Sequence, residues 1–588
     1  MKMRKFITGV LLVTMVGAMG VGCGNSQNGT ANTSSESTNG EKTEESTNTE
    51  TAKAQNTGEA DADGFVGLED RTPTTLRVFY ADQTEDIEFT DPIAEKIKEL
   101  TGITLEIEHA VGGDQQAIPL MIASGDYPDL IFAKGDTGLL VDAGALVPLQ
   151  DMIEEKGDHI KELYGDNLKR LKYSEEDPSI YTFGAYGVNA VSWETDGNMQ
   201  IQHAVLKELG YPEIKTIYQY EDAIKQYIDK HPQIDGQDTI GLTLMGSDWR
   251  WLITVGNVAS ATAGIPDDGE WKIDDETGTA EYKYFDEGVK EYMKWLNHMN
   301  AIGLLDPESF TQQEDVYYAK LASGRVLGTA TPSWGTNDSK KALVAAGKEE
   351  RTTAPLPVTI SEDIKPAVRK NYGFSGGHGL GICATSENID RAFEFMNWMC
   401  SDEAQILVNW GIEGVDYEYD ENGTRRLTAE RENMFKSDKD FAKKTGITKY
   451  AYPYPQQGDG SIDKTGNYYT LKSKEQIIAN MTETEKETLK AYGKELWIDF
   501  FPTPEELGVS KHGQAWQFNI PSDSELAIFN QKSEDYVKQA ATQIILGSPD
   551  DFDAAWDEML SRFKEMGVDD ANAEMSRLTQ EKIRFWSE

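Results

Sequence analysis

Ile103, Leu105 and Ile107 alternate with Thr104, Glu106 and Glu108, the two-residue period of a strand with one buried face. Just upstream, Ile93, Ile97 and Leu100 recur at helical spacing. Asp91-Pro92 opens that helix with a capping acid and a proline at the first position, and Gly102 stops it. Residues 76–80 and 128–132 read as strands, 182–193 begins in extended character, and 200–209 reads as helix. The second half repeats this grammar. Residues 325–330 and 379–384 are expected strands, and 388–400 is an expected helix burying Ala392, Phe393, Met396 and Met399. Two later helix starts are explicit: the capping box Thr503-Pro504-Glu505-Glu506, and Ser548-Pro549-Asp550-Asp551 with its acidic first turn. Strand and helix alternating throughout predict α/β layers, and no repeat of 20–50 residues shows.

The N-terminus breaks this pattern. Lys2, Arg4 and Lys5 precede an apolar run over 6–21, which is short for a membrane span and interrupted by Gly9, Gly17 and Gly20. An export signal fits better. At its end, Gly22-Cys23-Gly24-Asn25 resembles the lipobox of bacterial lipoproteins, with Gly20 where that motif usually carries an aliphatic residue. The resemblance implies a signal peptide over 1–23 and a diacylated Cys23 as membrane anchor. Residues 24–65 are Ser, Thr, Asn, Gly and Glu with almost no large apolar side chains, too few to offset the entropy of ordering. A flexible segment of that length spans roughly 35 Å, the reach of a leash between a lipid and a folded body.

Composition narrows the function. Over 588 residues, 101 acidic against 56 basic side chains give a net charge of −45, which repels nucleic-acid phosphates. The length suggests two or more lobes. Beyond Cys23 only Cys383 and Cys400 remain; two buried thiols are the reading, a disulfide the alternative. Gly373-Phe374-Ser375-Gly376-Gly377 matches a nucleophile-elbow pattern, but a strand follows where that motif needs a helix. The seven histidines show no metal-ligating spacing, and no phosphate-binding glycine loop with Lys-Ser or Lys-Thr exists. Residues 418–423 superficially match a calcium loop, yet its twelfth position is Ala429; a β-hairpin around Asn422-Gly423 is the better reading. With so many acids, carboxylate pairs fit for glycoside hydrolysis are uninformative.

Several stretches resemble the family-1, sugar-type extracellular solute-binding proteins of ABC importers. They are Ser124-Gly125-Asp126-Tyr127-Pro128-Asp129 with its strand, Gly303-Leu304-Leu305-Asp306-Pro307 followed by Ala322-Ser323-Gly324-Arg325, Trp410-Gly411-Ile412-Glu413-Gly414 with Tyr417, and Ile544-Ile545-Leu546-Gly547 before the Trp556 helix. They stand in family order between about residues 75 and 586. The resemblance implies a two-lobe α/β fold of the periplasmic-binding-protein type II, with hinge strands and a ligand cleft between the lobes. Lobe 1 is expected over 70–185 and 370–470, lobe 2 over 186–369 and 471–588. It also implies a carbohydrate ligand, docking on separate ABC permease subunits, a monomer, and no enzymatic activity. A secreted glycan hydrolase and a surface lectin or sensor are the alternatives. Residues 212–232 resemble the segment that precedes a calcium loop in some relatives, but Gln233-Ile234-Asp235-Gly236-Gln237-Asp238 lacks most of the ligands. No cofactor is expected, and calcium is left open.

Sugar recognition uses flat aromatic faces against pyranose rings and polar groups for hydroxyls, gathered where strands end. Trp334 follows the strand over 325–330 and looks like the stacking Trp of maltose-type binding proteins. Trp249 and Trp251 follow Leu242-Thr243-Leu244-Met245; with one residue between them they do not share a helix face and are not expected to stack on one ring. Asp136 and Asp82 follow the strands ending at Phe132 and Tyr80, and Tyr186 lies just past 180–183. These six are the expected ligand contacts. Arg250 and Lys134 leave acidic sugars open. Trp410 and Glu413 belong to a turn expected to be structural.

Overall fold

The structure is a computed structural model. It describes residues 64–587 apart from 84–85, 111–115, 192, 196–197, 267–268, 369–372, 375, 509, 511, 519 and 521–523. The lipobox, the leash and Ser375 lie outside the described residues.

Two sheets organise the body. The first runs, in spatial order, Ile103–His109, Thr74–Tyr80, Leu130–Phe132, Gly379–Ile382 and Thr182–Gly184. Thr74–Tyr80 pairs in parallel with both neighbours, while Gly379–Ile382 runs antiparallel between Leu130–Phe132 and Thr182–Gly184. Strand alternation sends Leu76, Val78 and Tyr80 into one core and Phe79 into another on the opposite face. The second sheet runs Thr353–Leu356, Asn198–Gln202, Val326–Thr331 and Ile240–Thr243. All of it lies, in sequence, between the first sheet's last two strands. The first sheet is therefore completed only after the chain has built the second. Each sheet anchors its own large core, one containing Leu76, Phe132 and Leu380, the other Ile201, Leu242 and Leu327. Among the described residues the chain passes between these cores after Val188, after Val358 and after Leu471.

Local chemistry explains the elements. The helix Pro92–Thr101 is capped by Asp91, whose carboxylate accepts from the Ala94 amide at 3.0 Å, and it ends on Gly102 at φ +73. One expectation fails: residues 200–202 are strand, and the helix begins only at His203. Gln200 faces Thr329 on one side and Pro355 on the other, so double-sided sheet pairing overrides the helical pattern. The hairpin Tyr417–Tyr419 with Arg425–Leu427 forms as expected, with Gly423 in its turn. Cys383 and Cys400 are free, buried thiols in different cores. At the end of helix Asp402–Trp410, Gly411 has φ +88, and a Cβ there would stand 2.4 Å from Asp416 Oδ2. The Trp410-Gly411 turn is built for close packing.

A buried network ties the segment after Leu471 to the second lobe. Glu485 receives Lys340 Nζ at 2.7 Å, and the His203 ring is 2.9 Å from Thr488 Oγ1. Burial pushes the His203 imidazole down to about 4. Burial alone would raise Glu485, but Lys340 and His203 outweigh it and hold the carboxyl at about 2. In the unfolded chain these groups titrate near 6.5 and 4.3. His203 therefore contributes stability above pH 6.5 that is lost as pH falls toward 4, and Glu485 contributes stability above its unfolded value that is lost toward pH 2. Stability is expected to fall by about 2 kcal/mol between pH 7 and 5 from His203. Urea unfolding at both pH values checks this, and His203→Gln removes most of that drop.

Candidate functional site

Strand Val326–Thr331 delivers Pro332 and then Trp334, and strand Ile240–Thr243 leads to Trp249. The two indoles stack at 6.1 Å between centroids and 28° between planes. Although neighbours, Trp249 and Trp334 remain 49% and 44% exposed, so ring faces are left for a partner. Arg250 lies 4.9 Å from the Trp249 ring and is itself held by Asp248 at 2.5 Å and Glu314 at 2.6 Å. Its charge is already matched.

The first lobe meets this pair through Lys134. Strand Leu130–Phe132 ends two residues earlier, and Lys134 takes φ +51, a left-handed conformation that costs a side-chain-bearing residue about 1 kcal/mol or more. That backbone sets its ammonium 5.8 Å from the Trp249 ring and 3.4 Å from Asp82 Oδ2. Asp82 also accepts from the Tyr452 hydroxyl at 2.8 Å. The Tyr452 ring packs edge-on against Phe132 at 5.3 Å and lies 6.3 Å from Tyr186, itself 45% exposed. Burial and the neighbouring Lys134 charge push the His378 imidazole down to about 4, so it is neutral at pH 7. Flat rings, a cation and a carboxylate thus converge where the two sheets' strand ends approach. Such a surface can stack against a sugar ring and bond its hydroxyls.

Lys134 and His378 also line a cavity of about 470 Å³. Its walls come from both lobes: Arg170, Lys172 and Tyr173 from one, Trp271, Trp516 and Lys582 from the other. At this size it accommodates a small organic ligand.

A family model described as bacterial extracellular solute-binding protein matches residues 92–410. The chain belongs to that family. Among characterised relatives of this solute-binding protein, the fructooligosaccharide ABC transporter substrate-binding protein FusA of Streptococcus pneumoniae serotype 4 is 21% identical over 345 residues. That match covers 55% of this chain and 60% of FusA, less than two thirds of its length. Among solved structures, the alginate-binding protein AlgQ2 without calcium superimposes with a TM-score of 0.63 at 17% identity, covering 87% of this chain and 98% of that one. FusA in complex with kestose gives 0.61 at 16%, covering 86% and 99%. A solute-binding protein described as HMO binding and ABC-transporter associated, from Bifidobacterium longum infantis, gives 0.60 at 15%, covering 87% and 99%. These likenesses show the two-lobe fold.

Of the residues expected from sequence in this solute-binding protein, Trp334, Trp249, Asp82 and Tyr186 fall in the cluster just described. Asp136 ends the short helix Lys134–Asp136 and is half-buried. Trp251 is a correction: it is fully buried, 5.9 Å from Phe310 within the second lobe's core. The chain turns helical from Arg250, so the two tryptophans diverge, one outward and one inward. Residues 233–238 form a tight hairpin, with Asp235 and Gly236 at positive φ and the Asp235 carboxylate 2.7 Å from Lys348. Tyr452, His378, Arg170, Trp516 and Lys582 escaped the sequence reading. Only Lys134 carried a local signal, a Lys-Gly pair one residue past a buried strand. Among the described residues, no helix is long and apolar enough to cross a membrane.

Proposed function

We propose that this chain is the extracellular, lipid-anchored receptor of an ABC importer, capturing an oligosaccharide between its lobes and handing it unaltered to a separate permease. The observation that carries the reading is the half-exposed Trp249–Trp334 stack meeting Lys134 and Asp82 from the other lobe. Relatives described by fructooligosaccharide and alginate ligands support a saccharide. Ligand stacked on the second lobe gains contacts with the first and so biases the protein toward closure, the form that docks on the permease. Diacylation at Cys23 keeps the monomeric receptor near that permease and raises its effective concentration. A glycan hydrolase needs two carboxylates flanking the scissile bond. Asp82 instead is tied to Lys134 and Tyr452, which suits holding better than proton transfer.

Calorimetric titration of the folded body with neutral and acidic oligosaccharides tests this. The expected result is micromolar or tighter binding, about −8 kcal/mol, with the sugar recovered intact. A hydrolysed product, abolished by removing one acid, overturns it. No metal or cofactor enters this reading, and the Asp235 carboxylate in the hairpin over 233–238 is 2.7 Å from Lys348. Affinity and melting temperature are accordingly expected to stay unchanged in excess EDTA; a loss of either, restored by calcium, contradicts that.

A further inference from the structure

Arg170 and Lys582 line the cavity from opposite lobes. Both lie against one indole, Trp586, at 4.9 and 5.4 Å from its centre. Lys582 also lies 5.9 Å from the Phe585 ring, and the hydrogen-bond partners of both cations are backbone carbonyls. Arg170 Nη1 donates to the Phe374 carbonyl, and Lys582 Nζ approaches those of Lys172 and Tyr173 at 3.4 and 3.5 Å. Among the described residues no carboxylate pairs with either. The acids of the same cavity are already engaged elsewhere: Glu270 with Lys283 at 3.4 Å and Glu534 with Lys538 at 2.7 Å. Lys134 has Asp82, while Lys172 adds a further positive charge to the lining. The cavity of a chain with net charge −45 is therefore locally positive. A cation withdrawn from water without a counter-ion is costly, and a bound anion offsets that cost. Burial pushes Lys582 down to about 8, in keeping with an ammonium lacking a counter-charge.

We propose that the cleft takes an anionic saccharide, whose uronate carboxylate or sulfate ester docks against Arg170 and Lys582 while a neighbouring ring lies on Trp249 and Trp334. This rests on the receptor reading and names its ligand class. Lys134 belongs to both the indole cluster and the cavity, so one ligand of two or more sugar units reaches both. Arg250 does not serve this purpose, being already held by two carboxylates.

The test uses uronate tetrasaccharides of differing linkage, sulfated tetrasaccharides, and the same uronates after reduction of their carboxylates to alcohols. At least one charged ligand is expected to bind about tenfold to a hundredfold tighter than its neutral counterpart, the range of a charge-assisted hydrogen bond. Which charged set wins distinguishes carboxylate from sulfate. Arg170→Gln and Lys582→Gln are expected to erase most of that preference, read as the ratio of charged to neutral affinity in each variant. Lys582→Arg is expected to keep the preference, separating charge from packing. If neutral sugars bind as tightly as charged ones and lose affinity in Trp334→Ala, this inference falls and the receptor reading stands. If no saccharide binds, both fall.

Discussion

Replacing Asp463 by alanine is expected to cost about 3–5 kcal/mol of folding stability, the penalty for stranding a buried charge. Asp463 and Arg425 meet at 2.6 Å with side chains only 2% and 1% exposed. The second Asp463 oxygen accepts from the Thr465 amide and hydroxyl and from the Asn467 amide, at 2.6–3.0 Å. Burial raises this carboxyl, but these bonds and Arg425 outweigh it and hold it below the usual range. Its contribution is therefore full above about pH 4 and lost as pH falls further. Arg425 stands 5.6 Å from Trp410, 5.4 Å from Tyr417 and 5.6 Å from Tyr419, so without Asp463 it keeps three rings, the Tyr468 carbonyl and the Tyr419 hydroxyl. Those do not neutralise a guanidinium out of water. Urea unfolding measures the loss. The double variant Asp463→Leu with Arg425→Met is expected to recover much of it, because no isolated charge remains. A loss below about 1 kcal/mol in the single variant contradicts the account.

Trp334→Ala is expected to weaken oligosaccharide binding by about thirtyfold or more, some 2 kcal/mol, as for a central aromatic contact. Its ring is half-exposed, so truncation leaves the core intact and the melting temperature nearly unchanged. Trp249→Ala is expected to act similarly, and it also removes the ring beneath Lys134 and Arg250. Trp251 supplies the contrast. Trp251→Phe perturbs the packing against Phe310 and lowers stability while leaving affinity alone. Calorimetry and thermal unfolding on the three variants separate these outcomes. A Trp334→Ala protein with unaltered affinity removes the indole stack from the site.

Much of this architecture could be read from the chain because its signals are local. The alternation over 103–108, the Asp91-Pro92 cap and the Asn422-Gly423 turn each act within a few residues, and each element formed. Gln200 shows the limit: its neighbours favour helix, but pairing with Thr329 and Pro355, remote in sequence, decides its state. The same division runs through the site. Trp334 and Asp82 stand just past strand ends, where an α/β fold presents side chains, and Trp249 follows its strand after a longer turn, so their place in the candidate cluster was legible. Trp251 was misplaced because the helical turn starting beside it sets which way its ring points. Arg170, Trp516 and Lys582 meet only through the packing of the C-terminal helices against the first lobe, and no spacing in the sequence marks that encounter.

The decisive measurement is the structure of the complex with the tightest saccharide found by titration. The account predicts a sugar ring in van der Waals contact with Trp334 or Trp249 and a second unit reaching past Lys134 toward Arg170 and Lys582. A ligand seated away from the indoles, or contacting one lobe alone in a body that has not closed, contradicts it.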